Sequence, residues 1–465
     1  MRRRASLHNL GCKVNAYETE AMEQMLREAG YEIVPFGQPA DVCIINTCSV
    51  TNVADKKSRQ MLHRARAKNP DAVVVAAGCY VQAAAQKLQQ DGAVDIIIGN
   101  NRKKELIEIL EAYFQEHGLW AEKEAAESYV TDIGKEQDYE ELHISQVAEH
   151  TRAFIKVQDG CNQFCSYCII PYTRGRVRSR RPEAVEEEVR ELAKKGYGEV
   201  VLTGIHLSSY GIDFLRKEGG EADWVEKDLG RPGAPLLDLI RRIHQIPEVK
   251  RIRLGSLEPR VVTEEFAREA ASLPKLCPHF HLSLQSGCEE TLKRMNRHYT
   301  PEEYLECCRR LRRHFHDPAI TTDVIVGFPG ETEEEFQESR DFLKQVQFYE
   351  MHVFKFSRRG GTRADRMENQ VPEEIKTRRS EELLALEKEM SEAYREKFLG
   401  KENQVLLEEP VQIGGRMYMT GYTREYIRMA ISFEELERRG ISPEKGIIIS
   451  GRAGGMMSPD LVEFL

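Results

Sequence analysis

Three cysteines at spacing C-x3-C-x2-C, Cys161-Asn-Gln-Phe-Cys165-Ser-Tyr-Cys168, constrain this chain more than any other stretch. They follow a strand-like run, Phe154-Ile155-Lys156-Val157, and so sit on a loop where a strand ends. With 11 cysteines in 465 residues, chance placement yields about 0.006 such triplets. Three thiolates on one tight loop can each hold one iron of a [4Fe–4S] cluster. The fourth iron then lacks a protein ligand, as catalytic metal sites keep a position open. Tyr167, directly before the last cysteine, adds an aromatic face beside that iron. The bland alternatives are a zinc knot short of one ligand or three buried thiols. No fourth Cys or His stands at finger spacing.

The motif resembles the radical S-adenosylmethionine (SAM) signature, in which SAM chelates the free iron through its amino and carboxylate groups. An odd cysteine count with no secretion signal implies reduced thiols and a cytoplasmic protein, not a disulfide framework. Met1-Arg-Arg-Arg4 has the charge of a signal-peptide start, but His8, Asn9 and Lys13 interrupt the apolar run such a peptide needs. No window approaches 18 apolar residues, so the sequence predicts no membrane contact. A net charge of -9 argues against a broad nucleic-acid surface. Five arginines nevertheless crowd together at Arg174, Arg176, Arg178, Arg180 and Arg181. Beside the cluster loop they fit contact with an RNA backbone or the SAM carboxylate; the plain alternative is a solvated face paired with Glu183, Glu186, Glu187 and Glu188.

The fold class is α/β in three parts. Residues 1–118 alternate strands (5–10, 41–46, 72–77, 95–98) with helices (16–30, 52–68, 81–90, 102–116), which predicts a parallel sheet covered on both faces. Cys12, Cys48 and Cys79 each fall just past a strand end. In a parallel sheet those ends share one rim, where open α/β folds bind ligands. Three thiols would converge there, enough for a second cluster or for nothing beyond burial. Cys43 lies mid-strand and reads as core. Residues 119–150 read as a charged linker.

Residues 151–370 resume the alternation with six strand candidates near 153–157, 199–203, 251–254, 280–284, 321–326 and 352–356. Six β/α units fall short of a closed eight-unit barrel and predict an open one. Polar residues cluster after its strands, at the face where barrels act. Gly204 and Gly327 would let backbone approach the adenosine of SAM, with Ser256, Gln285 and Asp323 for its polar edges. Turn chemistry and helix caps explain any one of these equally well. His206, His279, His281 and His298 read as structural. The 213–235 insertion, rich in Gly and charge, has no evident role. Residues 371–400 read as a solvated helical connector. Residues 401–465 read as a small antiparallel β-barrel of short strands and Gly-rich turns. Tyr422 and Arg424 are its candidate stacking and phosphate contacts.

End to end, the chain resembles the methylthiotransferases. The residues carrying this are Gly11-Cys12-Lys-Val-Asn15, Asn46-Thr-Cys48, Gly78-Cys79, the triplet at Cys161, Leu284-Gln-Ser-Gly287, Met295-Asn-Arg297-His-Tyr-Thr300 and Asp323-Val-Ile-Val-Gly-Phe-Pro-Gly-Glu331. The resemblance implies an N-terminal three-cysteine domain, a radical SAM core, a C-terminal TRAM domain, two [4Fe–4S] clusters and two uses of SAM. One SAM methylates sulfur on the cluster held by Cys12, Cys48 and Cys79. The other is cleaved at Cys161, Cys165 and Cys168 to a radical that takes hydrogen from carbon 2 of an adenine. Gly-Cys-Lys-Val-Asn and the segment from Ile170 to Arg180 resemble the branch acting on threonylcarbamoyladenosine beside the tRNA anticodon. An electron donor such as a flavodoxin or ferredoxin is implied too. Isopentenyladenosine or a ribosomal protein as substrate, and a non-catalytic iron–sulfur RNA-binding protein, are the other readings. Cys288 and the long insertion depart from the family's pattern.

Overall fold

The computed structural model describes residues 2–117, 125–145, 151–215 and 232–465, so residues 216–231 of the insertion lie outside the described residues. Its N-terminal domain is a six-stranded parallel sheet in the order β2-β1-β3-β4-β5-β6. The strands are β1 (Arg4–Asn9), β2 (Glu32–Ile33), β3 (Val42–Thr47), β4 (Val73–Gly78), β5 (Ile96–Ile98) and β6 (Glu127–Tyr129). Every residue of β3 and β4 is buried. With helices on both faces, a central parallel strand has no wet side, and its sequence runs apolar without alternation. The covering helices are α1 (Lys13–Glu28), α2 (Asn52–Lys68), α3 (Cys79–Gln89) and α4 (Leu106–His117). The expected linker proves partly structural. It supplies the edge strand β6, and Leu142 and Ile144 are buried in the core of the next domain.

That domain is an open barrel of six parallel strands. β7 (Ala153–Asp159), β9 (Glu199–Gly204) and β10 (Arg251–Leu254) form one sheet, with the two-residue β8 (Arg178–Ser179) antiparallel beside β7. β11 (His279–His281), β12 (Ala319–Val326) and β13 (Glu350–Lys355) form another. Single bridges, Ile252 to Leu276 and Leu257 to Leu282, join the two. The outer helices are α5 (Ile170–Arg174), α6 (Pro182–Lys194), α7 (Ala234–His244), α8 (Glu264–Ala271), α9 (Glu289–Arg294), α10 (Pro301–His314) and α11 (Glu333–Val346). Thr300 with Glu303, and Thr332 with Glu335, form capping boxes that start α10 and α11 just past their loops.

α12 (Glu373–Glu396) is not the solvated connector its charges suggest. Leu383 and Leu386 enter the barrel core, and Tyr394 enters the core of the C-terminal domain. β14 (Glu402–Ile413), β15 (Arg416–Tyr422), β16 (Arg428–Ser432), β17 (Ile448–Ser458) and β18 (Leu461–Phe464) close a small barrel with α13 (Phe433–Arg438) after β16. One pairing, β16 with β18, is parallel; the others are antiparallel. Among the described residues no helix is long and apolar enough to cross a membrane.

The domains are joined by buried polar contacts as well as apolar ones. α1 turns Val14, Tyr17, Glu18 and Ala21 inward at helical spacing. Tyr17 and Ala21 pack into the barrel core, and the Tyr17 hydroxyl donates to the Leu142 carbonyl at 2.6 Å. At the opposite end, Arg251 donates to the carbonyls of Tyr422 (3.0 Å) and Gln404 (2.8 Å), seating the C-terminal barrel.

Candidate functional site

The sheet register builds the first cysteine centre. Asn9 lies opposite Asn46, and Thr47 opposite Gly78, so β1, β3 and β4 end at one level. Cys12, Cys48 and Cys79 follow within three residues of those ends, on the rim expected for them. Two glycines make room. Gly11 has φ +111°, and a Cβ there would stand 2.9 Å from the Cys48 Sγ; Gly78 has φ +96°, and its Cβ would meet the Thr47 carbonyl oxygen at 2.5 Å. No L side chain fits either place without displacement. Cys48 and Cys79 are buried and Cys12 is open to solvent. Burial pushes the Cys48 thiol up, the Val50 N–H opposes, and the Cys79 and Cys12 thiols add to the rise. Asn100 donates to the Cys79 Sγ at 3.6 Å.

The second centre sits where β7 ends. Its loop is fixed from the far side of the barrel: Ser166 N–H donates to the Met295 carbonyl (2.9 Å), and the Asn296 amide donates to the carbonyl of Phe164 (3.1 Å). The Gln163 N–H points at the Cys161 Sγ (3.5 Å), and Arg297 Nη1 at the Cys165 Sγ (3.3 Å). Burial and the adjacent Cys165 and Cys168 push Cys161 well above an ordinary thiol; Cys168 reaches about 12, from burial and Cys165 first and Cys79 in small part. Arg174, six residues past Cys168, donates its Nε–H to the Cys79 sulfur at 3.2 Å, so one buried seam joins the two centres. Tyr167, Ser256 and Gln285 line one pocket with the three sulfurs, together with His206, Glu258 and Arg297. Burial works against the Glu258 charge, but His206 (3.2 Å away), Arg297 and Arg260 hold its carboxyl well below the usual range.

These donor sets fit clusters better than single ions. A tetrahedral ion with Zn–S near 2.3 Å draws thiolates to about 3.8 Å from one another. Among the described residues, the three-donor groups within 4.8 Å are His281–Asp323–His352 and Glu116–His117–Glu127; neither cysteine trio is that tight. Each trio stands wide and has an arginine N–H on one sulfur, the surroundings that stabilise cluster thiolates. The raised thiols of Cys12, Cys48, Cys161 and Cys168 must give up protons as metal enters.

Several expectations require correction. Arg174, Arg178 and Arg180 do not face RNA: they are 0%, 0% and 3% exposed. Arg174 Nη1 donates to Glu18 (2.6 Å) and Asp159 (3.1 Å), Nη2 to Asn15 (2.6 Å), and Nε to the Cys79 Sγ (3.2 Å). Lys103 (3.1 Å) and Lys156 (2.7 Å) also reach Glu18. Burial would raise the Glu18 carboxyl, but Arg174, Lys103 and Lys156 hold it well below the usual carboxylate range. Arg178 donates to the Arg174 carbonyl (2.9 Å), and Arg180 pairs with Glu188 and, at 3.0 Å, with Glu141. The arginine run is the seam between two domains. Arg176 is half-buried over the Phe164 ring, 4.6 Å from its centroid.

Tyr422 and Arg424 belong to the other seam. Tyr422 stacks on Tyr426 at 4.4 Å with Arg152 over both rings. Arg424 donates to the carbonyls of Pro274 (2.6 Å) and Leu276 (2.8 Å). Gly204, Asp323 and Gly327 lie outside the pocket around the Cys161 centre. A Cβ on Gly204 would meet Gln158, and one on Gly327 would stand 2.3 Å from the Lys376 side chain. Asp323 approaches His281 at 3.3 Å, and His281 stacks on His352, a residue without a sequence signal of its own. Registers pair His281 with Thr321 and Asp323 with His352, so the group shares one face of its sheet.

A six-stranded open barrel with C-x3-C-x2-C after its first strand defines a radical SAM enzyme. Residues 155–343 match the Radical SAM superfamily, and residues 4–99 match uncharacterized protein family UPF0004. The Bacillus subtilis (strain 168) threonylcarbamoyladenosine tRNA methylthiotransferase MtaB is 40% identical, over 92% of this chain and 90% of that one. The Aquifex aeolicus protein of the same name is 39% identical over 87% and 93%. A Moorella thermoacetica tRNA-2-methylthio-N(6)-dimethylallyladenosine synthase is 37% identical over 87% and 88%. Among solved structures, the radical SAM methyltransferase TsrM from Kitasatospora setae superposes with a TM-score of 0.56 at 16% identity, covering 77% of this chain and 73% of that one. The chain belongs to the methylthiotransferase family of radical SAM enzymes.

Proposed function

We propose that the protein transfers a methylthio group to carbon 2 of threonylcarbamoyladenosine beside the anticodon of tRNA. The observation that carries this reading is the meeting of two three-cysteine centres across one buried seam, each with an arginine N–H on a sulfur. An iron–sulfur protein that only bound RNA would need neither the second centre nor the pocket beside the first. The similarity to the MtaB proteins supports the choice of substrate.

Cys12, Cys48 and Cys79 would hold one [4Fe–4S] cluster, and Cys161, Cys165 and Cys168 the other. When bound, the clusters and SAM supply a radical route to an aromatic C–H bond that no general base can open. The chain's own residues arrange the rest. Tyr167, Ser256 and Gln285 border the space for SAM beside the Cys161 centre. Glu258, held ionised, can accept hydrogen bonds from a cationic ligand there. Arg174 and Arg297 place positive charge on sulfur, and the docked rims keep water from the seam. The target base must come from an unpaired loop and be splayed out. Tyr172 and Phe354, 52% and 50% exposed, offer faces for stacking. Electrons would come from a small donor of the flavodoxin or ferredoxin class, in the cytoplasm.

The test in cells is nucleoside mass spectrometry on tRNA from a strain lacking the gene. The methylthio form of threonylcarbamoyladenosine should vanish while its unmethylthiolated precursor accumulates. Loss of the dimethylallyladenosine product instead would reassign the substrate, and unchanged tRNA would overturn the reading.

A further inference from the structure

With Arg174, Arg178 and Arg180 buried in the seam, the open cations near the cysteine centres stand on α2. This helix carries six Lys and Arg against one acidic residue, Asp55, in a chain whose net charge is -9. Ser58, Leu62 and Ala65 turn inward, and Lys56, Lys57, Arg64 and Lys68 share the outer face. All four are exposed, and among the described residues their side chains make no hydrogen bond or ion pair. Asp55 does not neutralise them: Arg359 Nη1 holds it at 2.5 Å and the Ser49 hydroxyl at 2.8 Å.

Contacts tie this stripe to both centres. The Cys48 N–H donates to Ser58 Oγ on α2 at 3.2 Å, and Val50 and Val53 stand 57% and 74% exposed at that end of the helix. Asn52 Nδ2 donates to the Arg358 carbonyl at 2.6 Å, which joins α2 to the barrel segment after β13. Further along that segment, Arg363 and Arg366 are exposed and equally without side-chain partners among the described residues. They border one pocket with Tyr172, and the Ala364 N–H donates to the Ser166 carbonyl at 2.7 Å, holding that pocket against the Cys161 loop.

We propose that this surface docks the anticodon stem-loop. Unpaired bases lie on Tyr172, Val50 and Val53, and phosphates follow Arg363, Arg366 and the α2 stripe. The inference rests on tRNA being the substrate. Its order suits the partner: apolar and aromatic faces stand beside the centres, where loop bases must be splayed, and cations run outward toward the stem. Lys57 to Lys68 spans about 16 Å of helix, long enough to follow several phosphates of one strand. An acidic electron donor would use the cations but has no call for an exposed tyrosine in an open pocket beside them. Stacking on an aromatic ring is the mark of a nucleobase.

The experiment titrates a labelled anticodon stem-loop with iron-loaded full-length protein at several salt concentrations and reads Kd by fluorescence anisotropy. Lys57→Gln, Arg64→Gln and Lys68→Gln combined should raise Kd about 10-fold or more and lower the log–log salt slope by about 2, roughly 0.7 for each lost phosphate contact. Tyr172→Ala should raise Kd about 5- to 100-fold without changing the slope, and Tyr172→Phe should bind as wild type. Lys388→Gln, an exposed charge on α12, should change neither. In wild-type protein, saturating stem-loop should shield Lys56, Lys57 and Lys68 from an amine-reactive label, a readout that needs no variant. Wild-type Kd in the triple variant or in Tyr172→Ala, or unchanged labelling of those lysines, would overturn the proposal and leave the substrate reading intact. A triple variant that binds RNA normally but is reduced more slowly by flavodoxin would give the stripe to the electron donor and overturn it as well. Failure of wild-type protein to bind the stem-loop would remove the substrate reading and the proposal together.

Discussion

Replacing Arg174 with methionine is expected to lower the unfolding free energy by about 3–5 kcal/mol, the cost of stripping one partner from a buried ion pair. One guanidinium joins three parts of the chain: Glu18 and Asn15 on α1, Asp159 at the end of β7, and the Cys79 sulfur. Its rigid fork satisfies these acceptors at once, which a lysine ammonium cannot do. Arg174→Lys should therefore fall between wild type and Arg174→Met. Lys103 and Lys156 would still neutralise Glu18, so the protein should fold, with the N-terminal domain more loosely seated. Denaturant unfolding measures the loss, and limited proteolysis at the seam locates it. A methionine variant with wild-type stability would show that the seam's strength lies in its apolar packing. Loss of the N–H on Cys79 should also make the N-terminal cluster harder to reduce, since hydrogen bonds to sulfur help set cluster potentials. Redox titration of the cluster's spectroscopic signal reads that separately from stability.

Cysteine replacement should split the chemistry into two halves. Cys161→Ala removes a ligand from the barrel centre and should reduce 5′-deoxyadenosine release to background. Cys48→Ala should leave that release intact and stop sulfur transfer, because the two trios share no residue and stand on opposite sides of the seam. Iron content should fall from about 8 to about 4 per chain in either variant, four irons being the complement of each cluster. Methylthiolated product from Cys48→Ala would contradict the assignment of a second centre. Unchanged 5′-deoxyadenosine release from Cys161→Ala would contradict the first.

The cysteine centres were legible because local rules place them. A C-x3-C-x2-C loop needs no tertiary information, and apolar runs ending in Gly-Cys or Thr-Cys mark strand ends whose parallel pairing brings distant thiols to one rim. Strand and helix order through the barrel was legible for the same reason. Charged residues were not. Arg174, Arg178 and Arg180 look like a phosphate-binding run because their partners, Glu18 on α1 and Glu188 on α6 among them, are named only by the fold. Arg424 and Tyr422 misled in the same way, since a guanidinium that closes carbonyls at a domain seam has the same sequence signature as one awaiting RNA. The charges of α12 hid Leu383 and Leu386, because a long amphipathic helix can bury a narrow stripe while most of its residues stay wet. His352 carried no sequence signal beyond its position on a barrel strand.

The most direct test of the account is mass spectrometry of one anticodon stem-loop bearing threonylcarbamoyladenosine, after anaerobic incubation with reconstituted protein, reductant and SAM. The expected result is a mass gain equal to replacing one hydrogen by a methylthio group, located on that nucleoside, with 5′-deoxyadenosine released alongside. Release of 5′-deoxyadenosine with the stem-loop unchanged, or gain of a methyl group without sulfur, would contradict it.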